Sequence, residues 1–147
     1  MKQAELKALR SSVRKWLRIC EGKKADTGWP DCALCRLHRH DAGVCAKCVA
    51  YPNDGEIPIL HGLSIKCCFG MYSEWSRSTR WEVIGKGRKA YQGKRVKTRR
   101  AFEAALEVYS VLLSLLPASE FRKGQAVCRR HYSKRPEHLK RKGGRTR

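Results

Sequence analysis

Six of the eight cysteines in this 147-residue chain fall between Asp31 and Tyr72, as Cys32-x2-Cys35, Cys45-x2-Cys48 and the adjacent Cys67 and Cys68. Two residues between cysteines let both thiolates of one turn face one ion, and zinc takes four soft ligands in a tetrahedron with sulfur at roughly 2.3 Å. The nine residues between the pairs, RLHRHDAGV, are too short and polar for a core element. They read as a knuckle whose ends a metal ties together. The spacing predicts a structural Zn(Cys)4 site, with Zn as the cofactor. The simplest ligand set is Cys32, Cys35, Cys45 and Cys48; in a second set Cys67 or Cys68 replaces a member of the later pair. Neighbouring side chains of an extended chain point apart, so Cys67 and Cys68 are not expected on the same ion. His38, His40 and His61 are spare candidates, although a histidine in a polar loop is more often solvated. Cys128-x2-His131 also has ligand spacing and, with Cys67 or Cys68, would complete a second site.

Clustered cysteines also build disulfide scaffolds in small secreted proteins. The N-terminal MKQAELKALRSSVRKW, however, has neither the apolar core nor the small-residue cleavage site of a signal peptide. A reducing cytoplasm is the expectation, and there paired thiolates bind metal rather than oxidise.

The order Lys15-Trp16, Cys32 to Cys35, Cys45 to Cys48, a lone cysteine and Tyr72-x2-Trp75 ahead of a helical tail resembles small uncharacterised bacteriophage proteins. In those, a helix ending in a tryptophan-containing stretch precedes C-x2-C, C-x2-C-P and C-x-G-T-P-Y. Aligned on the tyrosine, Cys67 takes the place of the lone cysteine. Val49 stands where that pattern has proline, and CCFGMY departs from C-x-G-T-P-Y. The resemblance runs from Ser12 to Leu116. It implies a phage-encoded zinc protein of the host cytoplasm, with no activity attached.

Charge points to the partner. Thirty-three basic residues against thirteen acidic give a formal net charge of +20. A compact chain so charged repels itself unless a polyanion neutralises it. Nucleic acid, DNA or RNA, is the first candidate and an acidic host protein the second. A membrane is not expected, because no apolar run approaches the roughly 20 residues needed to span one. Two segments concentrate the charge. Lys86 to Arg100, KGRKAYQGKRVKTRR, has eight bases and no acid. Its Arg88, Lys89, Lys94, Arg95, Lys97, Arg99 and Arg100 are candidate phosphate contacts, with Tyr91 among them to stack on an unpaired base. Gly85, Gly87 and Gly93 are expected to keep the first part of this run flexible. From Arg129 onward there are nine bases and one acid, Glu137; here Arg129, Arg130, Lys140, Arg141 and Lys142 are the candidates.

The elements that must position these groups are few. Leu6, Leu9, Val13, Trp16 and Cys20 recur at spacings of three and four, predicting a helix over the first twenty residues, with Gly22 as its left-handed cap. A second helix is expected from Val96 or Thr98 to Leu116, burying Phe102, Ala105, Leu106, Tyr109, Leu112, Leu113 and Leu116, with Pro117 as its stop. A short helix from Met71 would lay Tyr72, Trp75 and Trp81 over the zinc site. IPIL and LSIK, either side of His61-Gly62, would pair as a hairpin, and Pro52 to Gly55 is a turn. The fold class expected is mainly α with a small irregular or β zinc knuckle. Residues 1–127 would form one metal-stabilised domain, and residues 128–147 a flexible basic tail.

An enzyme is not expected. His38-x-His40-Asp41 between two cysteine pairs invites comparison with HNH nucleases, but the next asparagine, Asn53, sits in a turn beyond the second pair. Four cysteines also close the coordination shell that a catalytic zinc keeps open. The function read from the sequence is a zinc-stabilised nucleic-acid-binding protein. The alternative is an interaction protein that docks on a host protein and modulates it.

Overall fold

The computed structural model describes residues 1–28, 31–38 and 69–133. Its first helix, α1 (Gln3–Cys20), follows the expected stripe, with Leu9, Val13, Trp16, Ile19 and Cys20 buried. The Glu5 carboxylate accepts the Lys2 backbone N–H at 2.8 Å, closing the first turn. At the other end Gly22 has φ 71°, where a side chain would clash, and the chain closes with Gly22 N–H to Ile19 O and Lys23 N–H to Arg18 O. A short helix, α2 (Ala33–His38), packs on α1 through Leu34, which is fully buried.

Helix α3 (Phe69–Ser78) overlaps the helix expected from Met71 and sends Trp75 completely into the core. Helix α4 (Arg99–Ser114) begins at Thr98, whose hydroxyl accepts the Ala101 N–H at 3.1 Å as an N-cap. Phe102, Ala105, Leu106, Tyr109, Leu112 and Leu113 are buried as expected, joined by Ala104 and Val108. The core is the apolar seam where α4 meets both α1 and α3.

Besides α2, which takes up Arg36 to His38 where only a polar knuckle was expected, two elements differ from expectation. The glycine-containing basic run forms an antiparallel hairpin, β1 (Glu82–Ile84) and β2 (Tyr91–Gly93), in the register Glu82 to Gly93, Val83 to Gln92 and Ile84 to Tyr91. Gly85 at φ 84° and Gly87 at φ 62° turn the chain, and a 3-10 turn, Gly87–Lys89, fills the tip. Here the glycines shape a defined turn instead of loosening a loop. Gly93 serves packing: a Cβ there would lie 2.8 Å from Ile84 Cδ1 and 3.1 Å from Ala25 Cβ. Beyond β2, Lys94 and Asp26 exchange both backbone hydrogen bonds at 2.8 Å, fastening the ribbon to the segment that follows α1.

The second difference is α5 (Ala118–Ser133), which crosses the boundary placed at residue 128. It lies against α4, and Gly124 permits the approach, since a Cβ at that position would fall within the Leu113 isobutyl group. Across the α1–α5 join, Arg10 grips the Glu120 carboxylate in a fork, with Nη2 at 2.6 Å and Nε at 2.9 Å. The IPIL and LSIK hairpin, the Pro52 turn and the tail beyond Ser133, with Lys140, Arg141 and Lys142, lie outside the described residues. The described residues are thus mainly helical with one small two-stranded sheet. None of the described helices is long and apolar enough to cross a membrane.

Candidate metal centre and basic ribbon

Cys32 stands immediately before α2 and Cys35 lies within its first turn, so the helix backbone brings the two thiols together. Cys35 is buried and Cys32 half-buried, with Cys32 Sγ 3.9 Å from Ser12 Oγ on α1. The Cys32 thiol is held far above the usual thiol range, first by its hydrogen bond to Cys35 and then by burial. Two neighbouring, partly buried thiols would supply half of a Zn(Cys)4 site. A bound metal cation would displace the thiol protons and offset the burial of the thiolates. Cys45, Cys48, Cys67, Cys68, His40 and His61 lie outside the described residues, as do the side chains of Cys128 and His131 within α5. Among the described residues no three ligand side chains converge on one point. His38 is not solvated as a loop histidine would be. It is buried at the end of α2, and its Nε2 has no hydrogen-bond partner among the described residues.

Next to the thiol pair is a buried charge centre that the sequence reading missed. Asp26 has 0% exposure, and its carboxylate receives four donors: Lys15 Nζ at 2.7 Å, Tyr72 Oη and Trp75 Nε1 each at 2.9 Å, and the Gly28 N–H at 3.1 Å. Burial alone would raise the Asp26 pKa. The Lys15 charge, with hydrogen bonds from Lys15, Tyr72 and Trp75, outweighs it and holds the carboxyl below its ordinary value. Lys15 also lies 3.6 Å from Asp31, the residue before Cys32, and Lys24 binds Asp31 at 2.9 Å. Trp16 packs edge-on against Tyr72 and Trp75, with ring centroids 6.1 and 5.4 Å away. Lys15-Trp16 and Tyr72-x2-Trp75 therefore converge on Asp26. Tyr72 and Trp75 reach the neighbourhood of the cysteine pair through this centre, whereas Trp81, expected to join them, is on the surface with 52% exposure.

The basic candidates divide into two sets. Lys94 is 5% exposed, with Nζ bonded to Ser76 Oγ at 3.1 Å and 5.0 Å from the Trp81 ring centroid. Burial draws its pKa down against the field of Asp26. Lys94 is an internal strut and is withdrawn from the phosphate candidates. Lys97 and Arg95 both face Glu82, Arg99 pairs with Glu103, and Arg100 with Glu74. A segment without acids in sequence thus acquires three in space. Arg88, Lys89 and the neighbouring Lys86 stand exposed at the hairpin tip with no ion-pair partner among the described residues, as does Arg80 ahead of β1. Tyr91, opposite Ile84, is 46% exposed. Arg129 and Arg130 are exposed on the last turns of α5, where Arg130 Nε reaches the Ala126 carbonyl at 3.4 Å.

The open depression lined by Glu74, Arg100, Glu103, Ala104 and Glu107 offers little chemistry of its own, because Glu74 and Glu103 are already held by Arg100 and Arg99. Comparisons with protein-family models, curated proteins and solved structures found no match to this chain.

Proposed function

We propose that this is a zinc-stabilised, nucleic-acid-binding protein that grips the phosphate backbone with a rigid basic ribbon. The observation that carries the reading is the hairpin tip. Lys86, Arg88 and Lys89 extend from a defined turn, exposed and without acidic partners among the described residues, on a chain of net charge +20. Cations carried on a structured turn forgo the backbone ordering that a flexible arm must undergo when it meets phosphate. Arg129 and Arg130 add a second basic surface. Zinc would be held by Cys32, Cys35, Cys45 and Cys48, or with Cys67 or Cys68 in place of one member of the second pair, and its part is to tie the ends of the knuckle together.

The test is binding of purified, nuclease-treated protein to labelled duplex and single-stranded DNA and RNA across a salt series. Affinity should fall steeply with salt, by ~0.9 in log–log slope per phosphate contact on duplex DNA and ~0.7 on single strands. Weak, salt-insensitive binding would overturn the reading. A stable complex with a single acidic host protein, surviving nuclease, would replace it.

A further inference from the structure

The hairpin exposes apolar surface that the core does not use. Trp81, immediately before β1, and Val83 within it are 52% and 65% exposed, while Ile84 next along is buried. Alternation along a strand puts Trp81 and Val83 on one face, together with Gln92, which pairs with Val83 and is also exposed. An isolated exposed apolar residue is unremarkable. Here a large indole is exposed and also held in place: Lys94, buried and bonded to Ser76, sets its ammonium 5.0 Å from the ring centroid. A cation–π contact from beneath fixes the ring plane without covering the whole ring. Arg80 precedes it in the chain, and Lys86, Arg88 and Lys89 stand at the tip of the same hairpin, all exposed.

We infer that the Trp81 indole, supported by Lys94, is a stacking platform for an unpaired base of a single-stranded nucleic acid whose phosphates lie against Arg80 and the tip cations. The inference rests on the nucleic-acid-binding reading and narrows it to a substrate class. A duplex keeps its base faces inside its own stack and offers an exposed indole nothing flat to cover. A single strand supplies both the π-face and the charge that this surface complements. A neutral apolar partner would leave the tip cations unmatched.

The experiment uses the full chain with labelled oligothymidylate of about 20 nucleotides, long enough to span the roughly 4–16 nucleotides that single-strand-binding surfaces engage, and a duplex of equal length. Trp81→Ala should weaken oligothymidylate binding by roughly tenfold or more, the scale of one lost base–aromatic stack. Its salt slope and its duplex affinity should stay at the parental values. Trp81→Phe should recover much of the loss, which separates stacking from a folding defect. Lys86→Gln/Arg88→Gln/Lys89→Gln should weaken both probes and flatten both slopes. Parental oligothymidylate binding by Trp81→Ala, or a loss shared equally by the duplex, overturns the platform while steep salt dependence leaves the broader reading standing. If the parent protein binds neither probe in a salt-dependent way, both readings fall together.

Discussion

Asp26→Ala tests how far the fold depends on its buried charge centre. The substitution removes the acceptor of Lys15 Nζ, Tyr72 Oη, Trp75 Nε1 and the Gly28 N–H. Lys15, itself buried, keeps the Asp31 carboxylate at 3.6 Å and the Trp16 ring at 5.6 Å, with no acceptor as close as Asp26 among the described residues. Breaking a buried pair by removing one partner costs roughly 3–5 kcal/mol. The Trp75 indole N–H, deprived of the bond shown here, adds ~1–3 kcal/mol, less than additively because both losses share one site. Against a domain stability of about 5–15 kcal/mol, a loss near 4 leaves little margin. With a urea slope of about 2 kcal/mol/M, the unfolding midpoint should drop by roughly 2 M. Replacing the pair, as Lys15→Met/Asp26→Leu, should recover a large part of that drop, because no buried charge is left uncompensated. The pH dependence has a definite sign. The Asp26 pKa is depressed in the fold, so its contribution is present above the unfolded value of about 3.9 and is lost as pH falls through the lower folded value. Asp26→Asn should therefore show less acid destabilisation than the parent below about pH 4. Urea and acid titrations followed by far-UV circular dichroism read both effects. A single variant with the parental midpoint, or a double variant no more stable than the single one, would refute the reasoning.

Three further outcomes are expected. Elemental analysis should find one zinc per chain, and Cys32→Ser or Cys35→Ser should lower the melting temperature as chelation does, because metal binding contributes directly to folding free energy; coincident apo and holo melting curves would remove zinc from the account. Leu106→Ala or Leu112→Ala, truncating side chains buried on α4, should cost about 2–5 kcal/mol in chemical denaturation without changing the affinity of the folded protein for nucleic acid. Neutralising Arg99 and Arg100, already paired with Glu103 and Glu74, should reduce duplex affinity less than neutralising Arg88 and Lys89, and Tyr91→Ala should act on single strands alone; equal effects of the two charge pairs would show that the carboxylates do not compete with phosphate.

Helices α1 and α4 were legible because period 3.6 survives in the sequence: the stripes from Leu6 to Cys20 and from Phe102 to Leu113 can face only one way. The α3 segment was also legible, since Tyr72 and Trp75 sit one turn apart. The hairpin was not. Its strands are three residues each, too short for alternation to stand out, and Lys-rich composition hid the one apolar anchor, Ile84. Helix α5 was obscured by Gly124 and by a basic composition that reads as a tail, although Gly124 is what permits close packing on Leu113. Asp26 left no local trace at all. An isolated aspartate in KKADTGWP reads as turn material, and its importance comes from donors at positions 15, 72 and 75 that only the fold assembles.

The charge of the Lys86 to Arg100 run illustrates why composition picks out a basic segment but not which of its bases stay free of acids. Reading along the chain, the densest bases are Lys94 to Arg100, and the absence of nearby acids favours them. In three dimensions Glu82 lies against Lys97 and Arg95, while α3 and α4 supply Glu74 and Glu103, so those bases spend their charge within the fold. Lys94 turns inward altogether. Cations without such partners among the described residues stand at the hairpin tip, at Lys86, Arg88 and Lys89. The turn glycines decide this, since Gly85 and Gly87 in the left-handed region let the chain reverse at that point. On the proposed reading, a polyanion would meet these bases unpaired by any described carboxylate, with the Trp81 ring on the same ribbon.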